Sequence, residues 1–412
     1  MESGRRARIG WFLTSAGFLV IAATTLVPIP RQAEASRATP VWCLVCGDLG
    51  GVDVLNNLLL FIPFAIGLRL FGLRTPVVTM VGALVSLAIE SLQLSIIPGR
   101  DASLSDLLTN SIGSWIGGTL VTYRTQILDP GSALAGRLAV LGALAWWIVQ
   151  LGTAMLLRPW VPDSELRAAW ARTVAGREPF TGRVTSAAVS GISVPPASIP
   201  LSPEISNRIR QGRVHLELKF TSGGTAESWS PLFEILARYR ALLVVEAVGR
   251  DLAFQPPARS SALRLRRPTL RLEDALFPRR NEQVRLAAGE RNDTLWAVWT
   301  AAGVSHSSVQ VLSPSFGWSL VTPFWYAYGP EAPLLTGLWL AAWLLPTGYW
   351  STRTGAGGGS SPWLLAIVPL VGLGIIPGLA GYSPVHWSEW LAGFVGLGIG
   401  RAGGRSAAIS SG

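Results

Sequence analysis

The sequence predicts a membrane all-α helical bundle of about eight spans with an inserted exoplasmic all-β sandwich of the jelly-roll kind. Three observations lead to this prediction. Mean hydropathy is +0.40 and only 14% of residues are charged, against about 25% in soluble domains. Apolar runs near the ~20-residue spanning length recur along the chain. Between residues 158 and 315 such runs give way to a period-two alternation.

Eight spans account for the apolar runs. They are predicted at 10–29, 54–74, 76–97, 104–123, 136–157, 330–350, 362–381 and 386–401. Pro28 and Pro30 close the first run, which favours a signal anchor over a cleavable signal peptide, although cleavage stays open. The predicted domains are 1–157 with five spans, 158–315 as the sandwich, and 316–412 with three spans.

The arrangement of positive charge predicts the orientation. Formal net charge is +10, and Lys219 is the only lysine among 34 basic residues. The arginines bracket the helices instead of clustering with aromatic residues on one face, so no nucleic-acid partner is expected. They are concentrated before the first span and in alternate loops, and the positive-inside bias therefore places both termini in the cytoplasm. We expect a multi-pass protein of the bacterial cytoplasmic membrane, surrounded by membrane lipids, with the sandwich outside.

The inserted segment reads as many short strands. The predicted runs are Val214–Phe220, Leu232–Ala237, Ala241–Val248, Leu252–Phe254, Ala262–Leu265, Thr269–Leu272, Gln283–Ala287, Thr294–Thr300 and Ser307–Leu312. Gly, Pro, Asn and Asp punctuate these runs, which is typical of a β-sandwich. Their order resembles concanavalin-like and laminin-G-like sandwiches, and that resemblance implies a sugar-binding module or a glycosidase.

Acidic and aromatic residues of the strands separate these two functions. A retaining glycosidase needs two carboxylates about 5–5.5 Å apart, and no predicted strand carries a pair of acids. Sugar binding is therefore favoured over catalysis. The side chains of Trp229, Trp296 and Trp299 are candidates for a sugar-stacking platform, with core packing as the alternative. Trp296 and Trp299 differ by three positions, so on a strand they face opposite sides.

The chain has two cysteines, Cys43 and Cys46, in the first predicted outer loop. A disulfide between them is expected in an oxidising compartment, with free thiols or a metal site as alternatives. Zinc would need four ligands, and the three histidines are far apart in the sequence. No metal and no cofactor are expected.

Polar residues inside the second to fourth spans form the candidate site. An ionisable residue in a span costs about 2.5–3.5 kcal/mol at the helix centre on insertion scales, so it needs a partner, water or a function. Helical spacing places these residues on inward faces at one level near the outer membrane surface. A buried ion pair between Glu90 and Arg100 is the architectural alternative. The predicted ligand-binding residues are Asp53, Asn57, Glu90, Gln93, Arg100, Asp106 and Asn110.

At these residues the chain resembles the VanZ-like membrane family, over roughly residues 10–125. The match runs through the segment from Asp53 to Pro63, then Glu90 to Gln93, then Arg100 onward with Gly113 and Gly117. Order, spacing and residue type all agree. The family is named from a protein linked to tolerance of a glycopeptide antibiotic, so the resemblance implies an envelope glycan or glycopeptide as a possible partner. It supplies no reaction.

The last two spans resemble a degenerate copy of the third and fourth. Asp106, Asn110, Gly113 and Gly117 have the same spacing as Glu389, Gly393, Gly396 and Gly400. Chance similarity between glycine-rich helices is the alternative. The favoured function is binding of an amphiphile or envelope glycan, in which the sandwich contacts the sugar and the helical site contacts a head group. A membrane-embedded enzyme and a transporter are the two other hypotheses.

Overall fold

The computed structural model describes residues 2–28, 40–45, 47–100, 102–174, 177–196, 200–211, 214–238, 240–276, 281–353 and 362–411. It contains two compact units. The first is Met1–Asp129 with Val321–Pro323, and the second is Pro130–Leu320 with Phe324–Gly412. The predicted domain boundaries at 157 and 315 stay predictions, and each unit is described below by itself.

The first unit is helical. Its helices are α1 (Glu2–Thr25), α2 (Gly50–Leu70), α3 (Thr75–Ser95), α4 (Leu104–Thr122) and the short α5 (Arg124–Leu128). Many large apolar side chains of these helices are exposed, Leu59 and Met80 among them. Such exposure suits contact with lipid, because a helix that is apolar all round is buried or crosses a membrane.

Glycines let α4 approach α2 closely. A Cβ atom at Gly113 would meet the carbonyl oxygen of Leu58, and one at Gly117 would lie 2.6 Å from that of Ile62. Small residues at such crossings allow backbones to touch, which is a common mode of helix association in membranes. The glycine stripe of α4 therefore fixes the position of the polar residues that precede it on the same face.

Four helical segments are long and apolar enough to cross a membrane, judged by length and composition. They are Gly4–Thr25, Gly50–Leu70, Thr75–Ser95 and Ser132–Leu156, and a shorter apolar stretch covers Leu365–Leu379. Each of the eight predicted spans overlaps a helical segment of the structure. The four long segments meet the spanning criterion, and the count of eight spans stays a prediction.

The second unit contains helices as well as sheets. They are α6 (Ser132–Leu156), α7 (Pro203–Arg210), α8 (Gly317–Val321), α9 (Ala332–Ser351), α10 (Pro362–Pro369), α11 (Ile376–Leu379) and α12 (Trp387–Ser411), with a π-helical segment at Leu370–Ile375. Two 3₁₀ turns lie at Arg259–Leu263 and Pro314–Phe316.

Glycine contacts between α12 and α9 repeat those of the first unit. A Cβ atom at Gly396 would lie 2.6 Å from Cα of Ala341, and one at Gly400 would meet the carbonyl oxygen of Leu345. These glycines and their partners have the same separation along the chain as Gly113 and Gly117 have from theirs. The common spacing fits the predicted repeat, which stays a prediction.

Side chains of α6 contact the π-helical segment and the residue before it. In the π register the carbonyl of Gly372 would receive its bond from residue 377, which is a proline without an N–H. The side-chain nitrogen of Gln150 donates to that carbonyl instead, at 3.4 Å. Just before the segment, Trp147 donates its indole N–H to the carbonyl of Val368 at 3.0 Å.

Two antiparallel sheets form the β part. The strands are β1 (Leu166–Trp170), β2 (Arg183–Val189), β3 (Ile192–Val194), β4 (His215–Thr221), β5 (Ala226–Ala237), β6 (Arg240–Gly249), β7 (Asp251–Gln255), β8 (Leu270–Leu272), β9 (Gln283–Arg291), β10 (Thr294–Ala301) and β11 (Val304–Val311). The first sheet has the order β1-β5-β6-β7-β8 and the second β11-β10-β9-β4-β2-β3. The prediction of an all-β sandwich is confirmed.

Individual strands differ from the prediction in two ways. The run Ala262–Leu265 is wrong as a strand, since Arg259–Leu263 forms a 3₁₀ turn that ends where Arg264 adopts a φ of 54°. The sequence missed β1, β2 and β3, which are short and rich in Ala, Ser and Arg. Alternation predicted β4 well, because every second residue from Leu216 to Phe220 is buried.

Candidate functional site

Glu90 ties α3 to the start of α4. Its Oε2 accepts the backbone N–H of Ser103 at 2.6 Å, and the contact is buried. Ser103 is the N-cap of α4, and its Oγ accepts the backbone N–H of Asp106 at 3.1 Å. Serine at an N-cap satisfies one of the open N–H groups of a first helical turn. Glu90 therefore holds the cap residue that positions Asp106.

Asp106 lies between α3 and α2. Its Oδ1 accepts the side-chain amide of Asn57 at 2.7 Å, and its charge acts on Glu90. The structure thus brings together Glu90, Asp106 and Asn57, which the sequence predicted at one level of the bundle. Asp53, one helical turn before Asn57, is exposed.

Two buried amides continue the cluster. Gln93 donates its Nε2 to the carbonyl of Thr25 at 2.9 Å, and Asn110 donates to Ser86 Oγ at 2.9 Å. The exposed fractions are 8% for Gln93 and 3% for Asn110. Gln93 Oε1 and Asn110 Oδ1 have no hydrogen-bond partner in the described part of the chain. Buried polar groups are nearly always bonded, so two open acceptors in one cluster need an explanation.

Arg100 bonds to backbone carbonyls and not to Glu90, its partner in the alternative ion pair. It donates to the carbonyls of Val27 at 3.0 Å and Thr24 at 2.7 Å. These carbonyls lie at the end of α1, where the helix dipole favours a cation. Among the described residues no salt bridge joins Arg100 to Glu90, because the loop turns the guanidinium toward α1 while Ser103 occupies the carboxylate. Burial lowers the pKa of Arg100, and the negative charge of Asp53 opposes this.

The loop that carries Arg100 depends on a glycine. Gly99 has a φ of 79°, in the left-handed region, which glycine adopts without the steric cost that a Cβ atom adds. Ser103 and Asp106 follow within a few residues, so this turn sets the approach of the loop to α3.

Bonds through Ser103 thus link Glu90, Asp106 and Asn57, whereas Gln93 and Arg100 bond to carbonyls at the end of α1. Taken together, the seven predicted residues have a negative formal charge, with three acids and one arginine. Cys43 is disulfide-bonded, and its predicted partner Cys46 lies outside the described residues. Within the described ranges no group of three or more His, Cys, Asp or Glu residues is placed to hold a metal.

The second unit contains a polar cluster that the sequence did not predict. Glu389 is 7% exposed and accepts the Oγ–H of Ser313 at 2.8 Å. Ser315 Oγ accepts from Gln150 at 3.2 Å, and Gln150 Oε1 has no partner among the described residues. Glu389 occupies the position that the repeat matches to Asp106. The signal that could have found this cluster is a glutamine in the middle of an apolar helix.

Two acids on neighbouring strands of the first sheet lie on the same face, although no single strand carries both. Glu234 lies opposite Val244 in the register of β5 and β6, so it shares a face with Glu246. Glu234 bonds to Arg172 at 2.7 Å, and Glu246 bonds to Arg177 at 3.3 Å. The spacing of acids along a single strand does not reveal a cross-strand pair of this kind, because the register of β5 and β6 creates it.

The three predicted sugar-stacking tryptophans do not form one platform. Trp229 packs edge-on against Trp325 with centroids 4.3 Å apart, and Trp296 packs edge-on against His215. Trp299 stacks on His306 at 5.5 Å with an interplanar angle of 16°. Trp296 and Trp299 point to opposite faces of β10, as predicted.

Comparison with protein-family models identifies most of the first unit. The VanZ/LLP1 family model matches residues 11–125. These residues are a VanZ-like domain. The matched range contains all seven residues of the cluster, together with the glycine stripe of α4. No curated protein and no solved structure is significantly similar to the chain, so the concanavalin-like and laminin-G-like resemblance has no support beyond the two sheets. The VanZ-like domain and its apolar helices indicate a membrane protein.

Proposed function

We propose that the protein is an envelope membrane protein whose VanZ-like domain binds the head group of an amphiphile that carries an amine. The open acceptors of the cluster carry this proposal. Gln93 Oε1 is fixed as an acceptor, because the nitrogen of the same amide donates to the carbonyl of Thr25. A ligand that reaches these acceptors must therefore donate hydrogen bonds.

The charge of the cluster favours the same ligand. Asp53, Glu90 and Asp106 contribute three carboxylates, and Arg100 is engaged with carbonyl oxygens at the end of α1. Glu90 is the buried acid of the three. A buried charge is stabilised by a partner of opposite sign, and a primary ammonium offers three donors and a positive charge. An anionic head group without an amine would meet repulsion from Glu90 and Asp106.

A binding assay follows from the contact between Glu90 and Ser103. Glu90→Gln keeps an oxygen for the Ser103 N–H and removes the charge. Thermal unfolding of the detergent-purified protein is measured with phosphatidylethanolamine or with phosphatidylglycerol of the same acyl chains. A ligand at about 100 times its Kd stabilises by about 2.7 kcal/mol. We expect phosphatidylethanolamine to stabilise the wild type and to lose most of that effect on Glu90→Gln.

Glu389→Gln is the matched control, since Glu389 is a similarly buried glutamate that accepts a serine hydroxyl in the other unit. This variant should keep the stabilisation by phosphatidylethanolamine. Equal stabilisation of the wild type by both lipids, or an undiminished effect on Glu90→Gln, would show that the site does not recognise an amine.

We further propose that both termini are cytoplasmic and that the β-sandwich is exoplasmic, where it contacts an envelope glycan. The distribution of arginines supports this orientation. Reporter fusions after Arg124 and Arg405 should report a cytoplasmic position, and fusions within 170–310 an exoplasmic one. A cytoplasmic signal from the sandwich would reverse the arrangement.

A further inference from the structure

The open edge of the sandwich carries an unusual strand. β11 is the last strand of the second sheet. In its register with β10, Trp299 lies opposite His306, Ala297 opposite Ser308, and Leu295 opposite Gln310. The β10 members of these pairs are buried on the core side. Three of the four core-facing positions of β11 are therefore polar, and the fourth is Val304, opposite Ala301.

The solvent-facing side of β11 carries two serines and then two valines. Val309 and Val311 lie opposite Trp296 and Thr294, and they are 63% and 45% exposed. A strand that only closed a core would carry its apolar residues inward and its polar residues outward. The polar inner positions from His306 to Gln310 indicate that this part of β11 faces something other than core.

A cavity of about 280 Å³ lies between β11 and the edge strand β8 of the other sheet, and β11 contributes four consecutive residues to it, including the inner-side Ser308 and Gln310. Its volume is near the lower end of the roughly 300–1,000 Å³ range of small-molecule sites. A space of this size suits one sugar ring better than a long oligomer. Its lining residues are Leu270, Arg271, Glu273, Trp299, Ser307, Ser308, Val309, Gln310, Tyr328, Gly329 and Pro330.

The lining combines aromatic rings with neutral hydrogen-bonding groups. Trp299 and Tyr328 contribute parts of their rings, since Trp299 is stacked on His306 and the hydroxyl of Tyr328 is engaged with Ser319 at 2.9 Å. Ser308 contributes a hydroxyl, and Gln310 contributes an amide whose nitrogen donates to the carbonyl of Val311 at 2.8 Å. Rings with an apolar face and a few well-placed polar groups are what a ligand with both apolar and hydroxylated faces requires.

Fixed charge in the cavity is balanced. Arg271 is held by Asp251, with Nε 2.6 Å from the carboxylate, and Glu273 adds a second acid near it. The guanidinium is thus compensated before any ligand arrives, so the cavity does not select an anion. A neutral polyhydroxylated ring matches both the charge and the hydrogen-bonding groups.

We propose that this cavity, lined by Trp299, Ser308 and Gln310, binds one neutral pyranose ring of a glycan. The inference deepens the proposed glycan contact of the sandwich and rests on it, and it does not involve the amine site of the VanZ-like domain. It replaces the predicted platform of three tryptophans with a cavity that contains Trp299 alone.

Calorimetric titration of the full-length protein with the disaccharide of N-acetylglucosamine tests the site. The protein is kept in a detergent without a sugar head group, since maltosides and glucosides would compete for the cavity. We expect saturable binding to the wild type. Ser308→Phe fills the cavity, and Gln310→Ala removes the amide; each should weaken binding by about tenfold or more, equivalent to about 1.4 kcal/mol. Val311→Phe, on the outer side of the same strand, should bind as the wild type does.

The outcomes separate this site from the amine site. Absence of disaccharide binding to the wild type, while phosphatidylethanolamine still stabilises the same preparation, overturns the sugar site and leaves the head-group proposal intact. Binding that survives both Ser308→Phe and Gln310→Ala places the sugar elsewhere and also overturns the inference. If Ser308→Phe does not fold, Gln310→Ala decides alone.

Discussion

Glu290 makes the stability of the sandwich depend on pH. This residue pairs with Leu295 of β10 on the core side of the second sheet and is 6% exposed. Its Oε2 has no hydrogen-bond partner among the described residues. Burial, followed by the charge of Asp293, raises the pKa of Glu290 from 4.5 to about 8. The folded sandwich therefore holds this carboxyl in its neutral form at neutral pH.

The size and sign of the effect follow from that pKa. Each pKa unit corresponds to about 1.4 kcal/mol, so ionising Glu290 costs the folded state about 5 kcal/mol. Below pH 4.5 the carboxyl is protonated in both states and costs nothing. Between pH 4.5 and 8 the unfolded chain ionises it first, so stability falls as pH rises. Above the folded-state pKa the loss is complete.

Hydrogen exchange in β9 and β10 measures this stability locally, after correction for the intrinsic pH dependence of exchange. The opening free energy of the wild type should fall between pH 5 and 8, and Glu290→Gln should abolish most of that fall. Glu217→Gln, an exposed acid on neighbouring β4, is the control and should behave as the wild type. Identical pH profiles for wild type and Glu290→Gln would show that Glu290 does not cause the fall in stability with pH.

Two further predictions concern helix crossings and a buried ion pair. Gly113→Ala and Gly396→Ala should each destabilise their own helical bundle by about 1–3 kcal/mol, because the new Cβ meets the backbone of a neighbouring helix. Gly398 has open space around it, so Gly398→Ala should be neutral or slightly stabilising. Thermal unfolding of the detergent-purified protein measures all three variants. Arg172→Met should cost about 3–5 kcal/mol, more than Glu234→Gln, because the Glu234 side chain is 2% exposed and that of Arg172 is 37% exposed. Equal losses from the last two variants would contradict this asymmetry.

Hydrophobic periodicity was sufficient to predict the elements that are long and regular. Helices such as α3 are apolar over nearly their whole length, and β4 alternates strictly, so each element carries its own signal. β1 and β2 do not, since their apolar residues do not alternate strictly, and β3 has only three residues. The place of β1 is set by pairing with the distant β5.

The candidate site was predictable as a set of residues but not as a set of bonds. A polar side chain in an apolar helix raises the free energy of membrane insertion, so it needs a reason to be there, and this identifies Glu90 and Asn110 without a structure. Which partner each one takes depends on the loop after α3. That loop turns Arg100 toward the end of α1 and gives Ser103 to Glu90, and helical spacing alone contains no information on this choice.

Native mass spectrometry of lipids that co-purify with the detergent-extracted protein is the sharpest test of head-group binding by the VanZ-like domain. We expect an amine-bearing lipid bound to the wild type and to Glu389→Gln, and its loss from Glu90→Gln, in which Ser103 keeps its acceptor. An unchanged lipid content in Glu90→Gln, or enrichment of an acidic lipid without an amine on the wild type, would show that Glu90 does not recognise an amine.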